Sequence, residues 1–262
     1  MSAIAEGWSD LAAAWQRRQL ALYFAWSETL ARYRRSTLGP LWLVLGTIVG
    51  VAGLGFVWSI LLNAKQSEYI PQVTVGLVVW QLIAGSITES AGLFARNASM
   101  VTNIRLPSFL ITLQAFSRQF INLAHNLVVV VLVFLIFPQH SSPLMFLALP
   151  GLAIVSINLI ALTQIIGLLG ARYRDLDPLI SSFVPILFFL SPVIYHSRQL
   201  GPAELVMSLN PVAHYIRVIR DPMMGVVPDL VSYGWVAGLT VVTVTLALWL
   251  TGARAYRLPY WM

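Results

Sequence analysis

Polar and charged side chains recur inside one long apolar segment of this sequence. They fall at spacings of three and four residues, which places them on one face of a helix, and they are Gln114, Arg118, Asn122, His125 and Asn126. The preceding apolar segment carries Glu89, a candidate partner for Arg118. A structural ion pair is the favoured interpretation, and a transport role for the two charges stays open. His125 alone is more typical of a packing residue than of a proton carrier.

A second group of reactive side chains is the basic cluster Arg32, Arg34 and Arg35, which directly precedes the turn Ser36–Pro40. Guanidinium groups bind phosphate through paired hydrogen bonds. The residues before the cluster, treated as a helix, carry aromatic side chains on one arc and Glu28 on the other. Such a helix lies in a membrane interface. The segment is therefore either a simple anchor or a phosphate-recognising site at the mouth of a pathway.

Several kinds of chemistry are excluded by what the sequence lacks. Lys65 is the only lysine, and its context does not match the phosphate-binding loop of nucleotide hydrolases. The four histidines have no metal-ligand spacing, and there is no cysteine. We therefore expect no catalytic residues, no metal and no cofactor in this chain. Any nucleotide-driven work must come from another polypeptide.

These side chains must be positioned by helices that cross a membrane. Hydrophobic residues make up 58% of the 262 residues and charged residues only 10%, and 29 consecutive residues from Ser36 to Ala64 carry no charge. A bilayer core needs about 20 apolar residues in a helix. The sequence predicts an all-α polytopic membrane protein, a single transmembrane domain over 1–262. Its six predicted spans lie near 38–62, 69–94, 107–137, 144–170, 178–196 and 230–253.

The distribution of basic residues predicts the orientation. Eleven Lys and Arg residues fall on the side of the two termini and four on the other side, so both termini are expected in the cytoplasm. The segment 1–35 is expected to be an amphipathic interface segment, and Glu6 and Asp10 argue against a signal peptide. The net charge of +6 is a basic rim beside membrane lipids, which argues against nucleic-acid binding.

The stretch 198–229 does not fit a simple bundle. Gly201-Pro202 and Asn210-Pro211 each open a short apolar segment, and Asp221-Pro222 ends the second. About ten residues are too few to span a bilayer. We expect re-entrant short helices between the fifth and sixth spans, with a surface loop on the lipid headgroups as the alternative.

Several motifs together resemble the membrane subunits of bacterial polysaccharide-exporting ABC transporters, the type-two ABC permeases that export O-antigen, capsule or teichoic-acid chains. They follow one another in the family's order along nearly the whole chain. They are Arg32–Trp42, Ala171–Asp177, Phe188–Tyr195, Leu209–Pro211, and the set Arg217, Arg220, Asp221, Pro222 and Gly225.

The resemblance implies a homodimer of six-span subunits in the bacterial inner membrane, each docked on a cytoplasmic ABC ATPase that holds ATP and Mg. The substrate it implies is a polysaccharide attached to a polyprenyl pyrophosphate lipid. The chain itself would be a transport subunit rather than an enzyme. A drug or small-lipid efflux permease of the same architecture is the alternative. An ion-coupled secondary transporter using Glu89, Arg118 and His125 is a more distant one, because the sequence shows no internal repeat.

The resemblance also implies roles for particular residues. The substrate entrance would be formed by Arg32, Arg34, Arg35, Leu38 and Gly39. The periplasmic gate would be formed by Asn210, Pro211, Arg217, Arg220, Asp221 and Pro222. Arg96 and Arg105 would contact the ATPase. The candidate channel aromatics are Trp42, Phe56, Trp58, Phe188, Phe189 and Tyr195, although a position in an interfacial belt is as good an interpretation for Trp58 and Trp80.

Overall fold

The computed structural model describes residues 2–104, 106–138, 142–195 and 208–262. All regular structure in these ranges is helical. The α-helices are α1 (Ala3–Gln16), α2 (Arg18–Tyr33), α3 (Leu41–Leu61), α4 (Gln66–Ala91), α5 (Leu93–Arg96), α6 (Ala98–Asn103), α7 (Ser108–Ile136), α8 (Ala148–Arg172), α9 (Leu176–Phe189), α10 (Pro211–Met223), α11 (Leu230–Arg254) and α12 (Leu258–Trp261). Short 3₁₀ helices at Pro143–Leu147 and Ala255–Arg257 precede α8 and α12.

Five helices in the described ranges are long and apolar enough to cross a membrane: α3, α4, α7, α8 and α11. They coincide within a few residues with five of the predicted spans, and the all-α polytopic fold is confirmed. The fifth predicted span, 178–196, corresponds to α9, which has 14 residues and ends at Phe189. This is shorter than a bilayer core requires. The count of six spans therefore stays a prediction.

Helix α4 forms the centre of the bundle and packs against α3, α7, α8, α9 and α10. Small residues permit its closest approaches. A Cβ at Gly170 of α8 would lie 2.0 Å from the carbonyl oxygen of Ala91, and a Cβ at Gly76 would lie 2.8 Å from that of Val193. By contrast, α3 and α11 keep most of their apolar surface exposed. The central position of α4 decides which polar side chains can meet inside the bundle.

The two chain termini lie at one end of the bundle, here called the terminal end. Gly7 of α1 packs on the backbone of Leu248 in α11, and Gly252 packs on that of Ala3. Asp10 of α1 accepts 2.9 Å hydrogen bonds from the backbone N–H groups of Ser108 and Phe109 and so caps the start of α7. Burial raises the pKa of the Asp10 carboxyl, and these N–H donors oppose that rise.

Helix α2 packs on α7 through the small residues Ala21, Ala25 and Thr29, all buried. Its aromatic side chains point outward, and Tyr23 is 66% exposed and Trp26 51% exposed. An amphipathic helix with an outward aromatic face is what the sequence predicts for 1–35. Helix α1 likewise leaves Trp8 and Trp15 exposed.

The segment predicted to be re-entrant, 198–229, is described from residue 208 onward, so the first of its two predicted short helices lies outside the described residues. The second is α10, which begins at Pro211 after an Asn210 cap. Most of its side chains are buried against α4, α8 and α11. A surface loop on the headgroups does not describe α10. Its entry and exit on the same side of a membrane stay a prediction.

Candidate functional site

The terminal end contains a partly buried network of charges. Arg118 of α7 forms ion pairs with Glu89 of α4, as predicted, and also with Glu28 of α2. Gln114 donates a 2.6 Å hydrogen bond to Glu28, and Gln119 donates one of the same length to Glu89. Glu28 therefore points towards α7, and this contact was not identified from the sequence. This network joins the interface helix α2 to two bundle helices.

His125 does not take part in this network. Its Nδ1 atom lies 2.8 Å from the carbonyl oxygen of Ile121, on the preceding turn of its own helix. This supports the interpretation as a packing residue.

Next to the charge network, α3, α4 and α7 enclose a cleft of about 320 Å³. Its polar lining consists of Thr47, Gln81, Gln119, Asn122 and Asn126, and its apolar lining includes Trp42, Gly46 and Leu123. No charged side chain contributes to this lining. The cleft is thus a neutral, hydrogen-bonding cavity between three long apolar helices.

Three of the polar side chains bind one another. Thr47 donates to Asn126 Oδ1 at 2.7 Å, Asn126 Nδ2 donates to Gln81 Oε1 at 2.9 Å, and Gln81 Nε2 donates to Thr47 Oγ1 at 3.1 Å. Asn122 Nδ2 donates to Gln119 Oε1 at 3.3 Å. Of these residues, the sequence analysis identified Asn122 and Asn126, which belong to the predicted polar face of α7. It missed Thr47 and Gln81, because each is a single polar residue in an otherwise apolar segment.

The predicted entrance residues lie between α2 and α3. Arg32, Arg34 and Arg35 are exposed, and in the part of the chain that the structure describes their guanidinium groups have no protein partner. The turn that follows is tight, because Arg35 and Gly39 both have positive φ and Ser36 Oγ accepts a hydrogen bond from the Gly39 N–H. Leu38 is 40% exposed.

The turn brings the chain directly into α3, whose second residue is Trp42. The Trp42 side chain is 56% exposed and lines the cleft. The exposed arginines and the polar cleft are therefore adjacent in the chain and lie at the same end of α3.

The other candidate channel aromatics are divided between the surface and the core. Phe56 and Phe189 are exposed, whereas Trp58 and Phe188 are half-buried against the core. Phe188 packs edge-on against Trp80 at 5.4 Å. Trp80 is buried, so its interpretation as an interfacial belt residue is wrong. Tyr195 donates a 2.6 Å hydrogen bond to the Phe189 carbonyl.

At the end of the bundle opposite the terminal end, side chains bind the turn Leu190–Tyr195, in which residues 191–194 are buried. Asn210 Nδ2 donates to the Leu190 carbonyl at 2.8 Å, Tyr69 donates to that of Ile194 at 2.5 Å, and Arg220 donates to that of Pro192. Three of the predicted gate residues, Asn210, Pro211 and Arg220, therefore lie at the start and within the buried face of α10.

The remaining gate residues are also on α10. Arg217 is half-buried, Pro222 is buried in the last turn, and Asp221 lies 3.5 Å from Arg220 Nε through its Oδ1 atom. Tyr69, which fixes the turn from α4, was not identified from the sequence. A single tyrosine at the start of an apolar segment carries no signal of its partner 125 residues away.

The predicted ATPase contact is partly described. Arg96 is exposed at the end of α5 and donates a hydrogen bond to the Glu89 carbonyl, which anchors it to the end of α4. Arg105 lies outside the described residues. Leu93 and Phe94 of α5 are buried, whereas α6 has no buried residue. The contact with another protein stays a prediction.

Comparison with known families decides the class of this chain. The profile of the ABC-2 type transporter family matches residues 19–224, from α2 through α10. The chain belongs to the ABC-2 type transporter family. It is therefore a multi-pass membrane protein and a membrane subunit of a transporter.

The chain is also similar to individual named proteins. The chain is 24% identical over 195 residues to an O-antigen export system permease protein RfbA of Klebsiella pneumoniae, which covers 74% of this chain and 75% of the relative. A second RfbA of that organism is 23% identical over 83% of this chain and 85% of its own length. A Myxococcus xanthus RfbA is 22% identical over 76% and 77%.

Proposed function

We propose that this chain is the permease of an ABC exporter that moves a polyprenyl-pyrophosphate-linked polysaccharide, similar to O-antigen, across the bacterial inner membrane. The observation that carries the proposal is the cluster Arg32, Arg34 and Arg35, which has no partner among the described residues and lies beside the neutral cleft, in a chain whose relatives are named O-antigen export permeases. Guanidinium groups suit the pyrophosphate. Uncharged amides and an aromatic ring suit the sugars.

The passage itself would lie between two copies of the chain. Helix α9 leaves Leu179, Phe183, Ile186 and Phe189 exposed, which supports a role in contacts outside this subunit. Energy would come from a cytoplasmic ATPase dimer with its own ATP and Mg, docked at the terminal end near Arg96. A polymer much longer than the membrane is thick requires stepwise threading, with α10 and its neighbours as the periplasmic gate.

The charge network argues against an ion-coupled carrier. Both carboxylates and the guanidinium are already bound to one another and to Gln114 and Gln119. A carrier needs an ionisable group that is free to bind its ion.

The experiment is export in a strain that lacks this gene and carries a plasmid copy. We expect the double variant Arg34→Gln, Arg35→Gln to lower surface polysaccharide by about tenfold or more, because each charged hydrogen bond to phosphate contributes about 1.5–3 kcal/mol. The matched control is Arg17→Gln, Arg18→Gln, which removes the same charge from the same exposed interface.

Surface polysaccharide is measured together with the amount of permease and of co-purified ATPase. Normal export by the Arg34, Arg35 variant would contradict the entrance. Unchanged surface polysaccharide after deletion of the gene would contradict the function itself.

A further inference from the structure

We propose that the cleft between α3, α4 and α7 is a binding site for the sugar next to the lipid of the transported substrate. The proposal rests on the proposed function and adds to it a place, a ligand class and a set of residues. The entrance arginines recognise the pyrophosphate, and the cleft residues recognise the hydroxyl groups that follow it. The ligand is neutral and rich in hydroxyls.

The first argument is unused hydrogen-bonding capacity. Asn122 makes one hydrogen bond, to Gln119, which leaves its Oδ1 atom and its second N–H without a partner in the described residues. Thr47, Gln81 and Asn126 bind one another, so the capacity for a ligand lies at Asn122.

The second argument is the position of these spare groups. Asn122 is half-buried and lines the cleft, and its unused atoms are not sealed inside the bundle. A molecule in the cleft can therefore reach them. They match a ligand with several hydroxyls, each of which both donates and accepts.

The third argument is size and charge. A cleft of about 320 Å³ lies at the lower end of the range for small-molecule sites, about 300–1,000 Å³, which fits a single sugar ring. The lining contains no cationic side chain. A phosphate would therefore bind better to the three arginines than to the cleft. The exposed ring of Trp42 at the cleft provides a flat face for a sugar ring.

The structure also provides a way to fill the cleft without disturbing the fold. A Cβ at Gly46 meets no atom within 4 Å, although Gly46 lines the cleft. Gly53 has the same open surroundings two turns later on α3, but it does not line the cleft. Leucine at either position favours the helix. Only leucine at position 46 occupies the proposed site.

The experiment measures binding to the full-length protein in lipid nanodiscs. The two probes are polyprenyl pyrophosphate alone and polyprenyl pyrophosphate carrying one N-acetylglucosamine. We expect the unmodified protein to bind the glycosylated probe about tenfold more tightly, since two hydrogen bonds to hydroxyls together contribute about this factor. Gly46→Leu and Asn122→Leu should remove this preference and leave the affinity for the bare lipid unchanged. Gly53→Leu should keep it.

The outcomes separate the two proposals. Equal binding of both probes to the unmodified protein would overturn the sugar site, while arginine-dependent binding of the bare lipid would keep the proposed function. Binding of neither probe would overturn both. If Gly46→Leu and Gly53→Leu both lose the preference and both alter the oligomeric state, the glycines serve helix packing between copies and the sugar site is wrong.

Discussion

The cleft near the terminal end and the turn Leu190–Tyr195 at the opposite end are both polar regions in an apolar bundle, but they use their hydrogen bonds differently. At the turn, each of three side chains donates to a different backbone carbonyl. In the cleft, Asn122 keeps an acceptor and a donor without a partner among the described residues. The three carbonyl groups of the turn are satisfied, whereas Asn122 can still bind a ligand.

The difference follows from the backbone. Helix α9 ends at Phe189, so the carbonyl groups after it lose their helical partners inside the bundle and must find side-chain donors. The three helices around the cleft are unbroken there and need nothing from their side chains. Polar residues at the turn therefore stabilise the fold, and Asn122 in the cleft is available for function. The predictions below test this division.

The largest expected effect is in the charge network beside the cleft. We expect Arg118→Leu to lower the free energy of unfolding by about 3 kcal/mol, because the mostly buried Glu89 carboxylate would lose its cation, whereas Glu28 is 39% exposed and can be hydrated. Arg254→Gln, on an exposed residue at the terminal end, is the control and should have little effect. The measurement is unfolding in mixed micelles, followed by circular dichroism.

Adding Glu28→Gln and Glu89→Gln to Arg118→Leu should recover part of the loss, since no charge is then left unpaired. A triple variant as unstable as the single one would show that the cation acts by packing rather than by neutralising the two carboxylates.

Some features of this bundle could be predicted from the sequence and others could not. Spans without an interruption were located within a few residues, because a long apolar run fixes both the type and the extent of a helix. Arg118 and Glu89 were paired correctly since an isolated charge among apolar residues requires a partner. The contact of Glu28 with Arg118 was not identified, because nothing in the sequence indicates that α2 packs against α7. Helix α9 was drawn too long because apolar residues continue past Phe189 into a turn.

An intermediate effect is expected at the turn. We expect Tyr69→Phe to lower the free energy of unfolding by about 1–2 kcal/mol, because the Ile194 carbonyl loses its donor in a buried position. Tyr256→Phe, on a 61% exposed tyrosine, is the matched control. The same unfolding assay applies. Equal stability of the two variants would mean that water or another donor reaches the turn, and the contrast with the cleft would weaken.

The smallest expected effect is the most direct test of the division, because it compares two asparagines one helical turn apart on α7. Asn126 is 4% exposed and uses both of its polar atoms within the bundle, so Asn126→Leu should cost about 1–3 kcal/mol. Asn122→Leu removes one long bond and should change stability by less than about 0.5 kcal/mol. If both variants are equally destabilised, Asn122 has a structural role, and the cleft would then resemble the turn.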